Sequence, residues 1–204
     1  LLSASSSHRW LNCPPSAKLS ETYGEVVSDF AAEGTEAHSL IEYKLKQALN
    51  LPAINPISKL FFYNEEMEDC ANGYVAFALE LIQKVKEDCN DPLVLIEQKL
   101  DYSRFCDGGF GTGDLVIIGN GVIHIIDYKF GRGVEVNAQD NPQMMLYALG
   151  ALELFANLYD IEKVSMTIYQ PRRSNISTFT LTTDELYKWE IGRASCRERV
   201  FSSV

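Results

Sequence analysis

"GTGDLVIIGNGVIHIIDYKFGRG", Gly111 to Gly133, reads as two short apolar runs on either side of Asn120-Gly121, with acids at Asp114 and Asp127 and an amine at Lys129. Asn-Gly is the strongest two-residue hairpin signal, because a type I′ turn needs positive φ at both central positions. With Asn120 and Gly121 in those positions, Gly119 faces Val122 and Asp114 falls directly across from Asp127. Side chains alternate along a strand, so Lys129 projects on the face of Asp127, and the three groups converge at the open end of the hairpin. Val116, Ile118, Ile123 and Ile125 lie behind them on that face, and Leu115, Ile117 and Ile126 on the other. Two apolar faces imply central strands covered on both sides. A three-residue turn would instead slip the register by one and set Asp114 against Ile126.

Two carboxylates opposed on neighbouring strands repel, and partial burial raises the cost. A bound divalent cation reverses that sign. Two carboxylates with a main-chain carbonyl make a hard oxygen site suited to Mg²⁺ or Mn²⁺. A lysine beside them can orient or deprotonate an attacking water and stabilise charge on a phosphate. The plainer alternative is that Asp114 begins a strand and that Asp127 and Lys129 end one at the solvent edge.

Outward from the hairpin, the spacing of apolar residues predicts helices over about residues 6–13, 30–48, 64–88 and 141–159, and another from Thr183. Strands are expected at Leu93–Leu100, at Lys163–Pro171 and, briefly, near Phe179. The order implies an α/β fold, a mixed central sheet flanked by helices. At 204 residues, 46% of them apolar and 23% charged, the chain has the composition of one globular domain. The formal net charge of −10 argues against broad, charge-driven nucleic-acid binding but leaves room for a local basic groove. Five irregularly spaced cysteines without a C-x-x-C pair favour reduced thiols in a cytoplasmic protein. No apolar run approaches a membrane span. The chain opens on Leu1 and looks like the interior of a longer reading frame. Residues 191–204, "IGRASCRERVFSSV", abruptly replace an acidic helical pattern and resemble an adapter translated in frame, which leaves residues 1–190 as one domain truncated at its C-terminus.

"GTGD" followed by "DYK" resembles the G-x-x-D and (D/E)-x-K motifs of the PD-(D/E)XK nuclease superfamily. "EGTEAHSLIE", with His38, and "QMMLY", with Gln143 and Tyr147, match the upstream histidine and the Q-x-x-x-Y helix of its RecB-like exonuclease branch. The four motifs run in the family's order from Gly34 to Tyr147. The opening "SASSSHRWLNCPPSAKL" further resembles an uncharacterised phage and prophage family of that branch.

The resemblance implies a restriction-endonuclease-like fold and a Mg²⁺- or Mn²⁺-dependent deoxyribonuclease, an exonuclease acting in phage DNA recombination, repair or processing. His38, Asp114, Asp127 and the Tyr128 carbonyl would hold the metal; Asp114, Asp127 and Lys129 would carry catalysis. Gln143 and Tyr147 would contact the nucleic-acid backbone and support the site. Phage recombination or replication proteins are the implied partners beside DNA.

From the residues alone, His38 sits among Ala37, Leu40 and Ile41 and is also readable as a core histidine. Arg132 reaches a phosphate or is simply solvated, and Glu97 is a surface residue or an acid supporting the ligands. His124 faces away from the acids as a core residue. The branch's iron–sulfur members place one cysteine before the nuclease core and three near the C-terminus, closing a 4Fe–4S cluster. Cys13 stands where the first would be, without visible partners, so a cluster is expected only in a full-length protein. Two other readings remain: a noncatalytic DNA-binding or interaction module on the same fold, and a metal-dependent hydrolase of another phosphate ester.

Overall fold

The turn expected at Asn120-Gly121 is present, with φ of 48° and 74° at the two residues. It joins β3 (Gly109–Gly119) to β4 (Val122–Tyr128), antiparallel, with Gly119 opposite Val122 and Leu115 opposite Ile126. The computed structural model describes residues 2–13, 15–17, 19 and 28–191. The expected tail beyond Ile191, with Cys196, lies outside the described residues.

β3 is the longest strand and organises the sheet. β2 (Leu93–Asp101) runs antiparallel along one edge, pairing from Leu93 with Ile118 to Asp101 with Phe110. β1 (Leu2–Ser3) pairs parallel at Gly109 and Phe110. Phe110 therefore has β2 on one side and β1 on the other, so β1 shares an edge with β4. Between them, residues 111–114 of β3 have no strand partner on that edge. This gap holds Asp114.

β5 (Lys163–Gln170) lies parallel to β4, and β6 (Asn175–Thr182) closes the far edge antiparallel to β5. The strand expected near Phe179 thus extends over eight residues. Its Thr-rich alternation suits a sheet with one half-covered face.

α4 (Pro142–Phe155) is the crossover between the parallel strands β4 and β5. Asn141 caps it by accepting hydrogen bonds from the Gln143 and Met144 N–H groups, with Pro142 in its first turn. Every residue from Met144 to Leu152 is buried, so α4 is a core helix covered on all sides. With Trp10 of α1 (Ser7–Asn12), it covers Val116, Ile118, Ile123 and Ile125.

α2 (Asp29–Ala48) and α3 (Glu65–Asp88) cover the opposite face. Ala37, Leu40, Ile41 and Leu45 of α2 pack with Met67, Ala71 and Tyr74 of α3 over Leu115, Ile117, Ile126 and Tyr128. Ser28 and Asn64 cap these helices through the Ala31 and Met67 N–H groups. A last helix, α5, spans residues 183–191. This mixed sheet between two helical layers is the α/β architecture expected from the sequence. Among the described residues, no helix is long and apolar enough to cross a membrane.

Candidate metal centre

Asp114 and Asp127 lie at the open end of the hairpin, only 6% and 3% exposed. Tyr128 donates its backbone N–H to Asp114 Oδ2 at 2.6 Å, so the carboxylate takes the place of a strand partner in the gap of β3. The other oxygen, Oδ1, lies 2.8 Å from His38 Nδ1. α2 delivers this histidine from the edge of its apolar stripe, and the Tyr128 ring meets it edge-on, centroids 5.6 Å apart.

The third group is Glu97. Ile96 pairs with Leu115 and Gln98 with Gly113, which puts Glu97 opposite Asp114 at a position where the ladder is interrupted. Its φ is 53°, a left-handed conformation in the middle of a strand. For a residue with a Cβ this costs about 1–2 kcal/mol, and such strain concentrates at functional sites. His38, Glu97 and Asp114 offer ligand atoms that all lie within 4.8 Å of one another.

Asp127 stands beside that trio with a different set of partners. Gln143 donates from Nε2 to Asp127 Oδ1 at 2.8 Å and accepts through Oε1 from Lys129 Nζ at 2.9 Å. Lys129 Nζ is also 2.9 Å from Asp127 Oδ2 as a charge contact, yet that buried oxygen accepts no hydrogen bond. The first turn of α4 therefore clamps both ends of the D-x-K motif.

Tyr147, one turn further on, accepts from Gln143 Nε2 at 3.0 Å; its ring is 5% exposed and lies against Gly111. A Cβ on Gly111 would come within 2.2 Å of that ring. The glycine of G-x-x-D and the tyrosine of Q-x-x-x-Y are thus two sides of one contact. Arg132 is turned to the surface, paired with Glu66 of α3 at 2.6 Å. Cys13 is exposed, and no iron–sulfur ligand set occurs around it among the described residues.

Proton affinities follow from this crowding. Burial alone would lower the His38 imidazole, but Asp114 first, then Asp127 and Glu97, raise it to about 9. Burial, with Asp114 adding to it, lifts the Glu97 carboxyl to about 7. Asp127 is raised by burial and by Asp114, against the pull of Lys129. The metal-free site thus holds protons that a divalent cation would displace, exchanging their positive charge for its own. The donors, one imidazole and two clustered carboxylates with Asp127 beside them, fit a divalent ion of the Mn²⁺ or Mg²⁺ class.

Sequence reasoning named Glu97 without placing it. The only signal is one acid within an apolar strand, and the register of β2 on β3 is not set by any short turn.

Among solved structures, the chain is similar to an alkaline exonuclease from Laribacter hongkongensis, with 12% identity, coverage of 98% of this chain and 88% of that one, and a TM-score of 0.39. It is also similar to the protein SSO0001, at 14% identity, 94% and 85% coverage and a TM-score of 0.30. The family model described as "Protein of unknown function (DUF2800)" matches residues 1–197, nearly the whole chain, and the protein belongs to that family.

Proposed function

We propose that this protein is a metal-dependent deoxyribonuclease, an exonuclease of the RecB-like PD-(D/E)XK type, acting in phage or prophage DNA recombination, repair or processing. The observation that carries the proposal is the convergence of His38, Glu97 and Asp114 within 4.8 Å, beside an Asp127–Lys129–Gln143 clamp.

His38, Asp114, Asp127 and the Tyr128 carbonyl are the proposed ligands, and Glu97 joins them. Bound Mg²⁺ or Mn²⁺ would supply Lewis-acid stabilisation of charge on a phosphodiester. The Lys129 ammonium orients the attacking water and stabilises the charge that builds on the phosphate in an in-line displacement. Gln143 keeps the ammonium aimed by holding Lys129 and Asp127 at once. Tyr147 supports Gln143 from behind, and Arg132 is the candidate contact to a flanking phosphate. A ligating imidazole must be neutral, so His38 would have to give up its proton to hold the ion.

The test is cleavage of linear single- and double-stranded DNA with Mn²⁺ or Mg²⁺ by the wild type, Asp127→Ala and Lys129→Ala. Cleavage by the wild type and loss in both folded variants supports the proposal. Undiminished metal-dependent cleavage by both variants sinks it. Absence of both cleavage and stabilisation by Mn²⁺ in the wild type would point to the noncatalytic DNA-binding module.

A further inference from the structure

The hairpin's other end borders a second polar feature. A cavity of about 380 Å³ opens there between α3 and the sheet, beside the Asn120-Gly121 turn. Its floor follows from strand register. His124 of β4 pairs with Ser165 of β5, and Thr167 of β5 pairs with Thr178 of β6, so these side chains share the α3 face of the sheet. α3 contributes Phe77, Leu81 and Lys84 as a wall, one turn after another.

The floor is rich in donors. Thr167 and Thr178 hydroxyls lie 2.9 Å apart, and Thr180 donates to Ser165 at 3.2 Å. Each such pair uses one hydroxyl hydrogen and leaves the other to donate elsewhere. Ser165 and Thr167 are 8% and 5% exposed, which leaves bulk water little access to them. His124 is half-buried, and burial together with the nearby Lys84 ammonium lowers its proton affinity. Neither Lys84 nor His124 has a hydrogen bond or ion pair among the described residues. Asp88, an exposed residue one turn past Lys84, is the acid lining the cavity, and it forms no ion pair with that lysine.

Lys84, exposed to solvent, the half-buried His124 and two spare hydroxyl hydrogens bring donors to one cavity, with Asp88 the acid at its rim, in a protein whose net charge is −10. A cationic lysine with neutral donors beside it suits an anion. The volume lies within the usual range of small-molecule sites, and Phe77 and Leu81 offer an apolar wall for a flat ring.

We infer that this cavity is a binding site for a small phosphate monoester carrying a flat or apolar body, of the size of a nucleoside monophosphate. The phosphate would sit among Lys84, His124 and the Thr167–Thr178 pair, and the ring against Phe77 and Leu81. The choice of a nucleotide rests on the proposed nuclease reading, whose product would be a phosphate monoester; the anion site itself does not.

The test is calorimetric titration of the full chain, without divalent metal, with inorganic phosphate, deoxyadenosine monophosphate and deoxyadenosine. Lys84→Gln and His124→Gln are run in parallel, with Asp114→Asn as a control at the other end of the hairpin. Saturable binding of phosphate, tighter binding of the nucleotide, and weakening of both by about tenfold in Lys84→Gln and His124→Gln but not in Asp114→Asn supports the site.

Absence of saturable binding overturns the inference. So does binding untouched by Lys84→Gln and His124→Gln, or the nucleoside binding as well as the nucleotide. A failure of the nuclease reading would show separately, in the cleavage assay, with these metal-free titrations unchanged. A further check is the His124 ring resonance: phosphate should shift it in the wild type, and Lys84→Gln should need about tenfold more phosphate for the same shift.

Discussion

The two carboxylates of the hairpin are neighbours with opposite surroundings. Asp114 faces a histidine and a second acid, with its other oxygen tied to the Tyr128 backbone N–H. Asp127 faces an ammonium and an amide, with one buried oxygen left without a hydrogen bond. The first half brings an imidazole and two carboxylates together. The second holds a carboxylate between an ammonium and an amide. The difference arises from which helical layer reaches each strand end: α2 comes to Asp114 from one face, and α4 comes to Asp127 from the other.

This division can be broken most sharply at its two charged centres. Lys129→Ala should cut cleavage on the order of 10³-fold, as removal of a preorganised transition-state donor does. It should leave stabilisation by Mn²⁺ in a thermal melt intact. Asp114→Ala should abolish both responses. If Lys129→Ala lost the Mn²⁺ response, or Asp114→Ala kept it, the two halves would not be separate.

Arg172 ties the two helices of the first half's layer together. It is 5% exposed in its side chain and lies over the Phe130 ring with its guanidinium carbon 3.6 Å from the centroid. It donates to both oxygens of Glu33 on α2 and to Glu66 on α3. The guanidinium is buried but its acid partners are partly exposed, so removing it costs less than a fully buried pair would, about 1–3 kcal/mol. Arg172→Ala should therefore lower the melting temperature strongly and, by loosening α2, weaken Mn²⁺ binding at His38. Denaturant unfolding and a metal titration measure the two effects.

Gln143→Ala tests the second half more gently. Outer supports of a metal site typically contribute 10–100-fold. A loss of about that size in kcat, with the Mn²⁺ melting shift retained, would match the clamp. Unchanged cleavage would show that Lys129 needs no such hold.

The smallest effect is the response to pH. The His38 pKa is raised from 6.5 to about 9, so its contribution to metal-free stability is complete below 6.5 and is lost as pH climbs through 9. Glu97 is raised from 4.5 to about 7, so the folded state prefers its protonated form, and stability falls as pH climbs through 7. Metal competes with both protons, so the Mn²⁺-induced melting shift should grow between about pH 7 and pH 9. Glu97→Gln should remove the part of that growth near pH 7 and leave the part near pH 9. A shift independent of pH would remove Glu97 and His38 from the ligand set.

What was legible in the sequence is local. Asn120-Gly121 admits one tight turn, and that turn sets the register that carries Asp114 and Asp127 to the same end, with Lys129 two residues past Asp127. The apolar periodicity of α2 and α3 places helices by the same short-range rules. Gly111 and Tyr147 were visible as separate motif residues, but their mutual packing was not, because they are 36 positions apart along the chain. α4 shows too little periodicity to say which face it turns inward, since both are covered. The role of Glu97 depends on how β2 pairs with β3, and no short turn dictates that pairing. The sequence by itself determined the hairpin and the charged groups gathered at its open end; tertiary packing alone decided which groups of α2, α4 and β2 meet those acids, because such contacts are chosen by burial across the whole sheet.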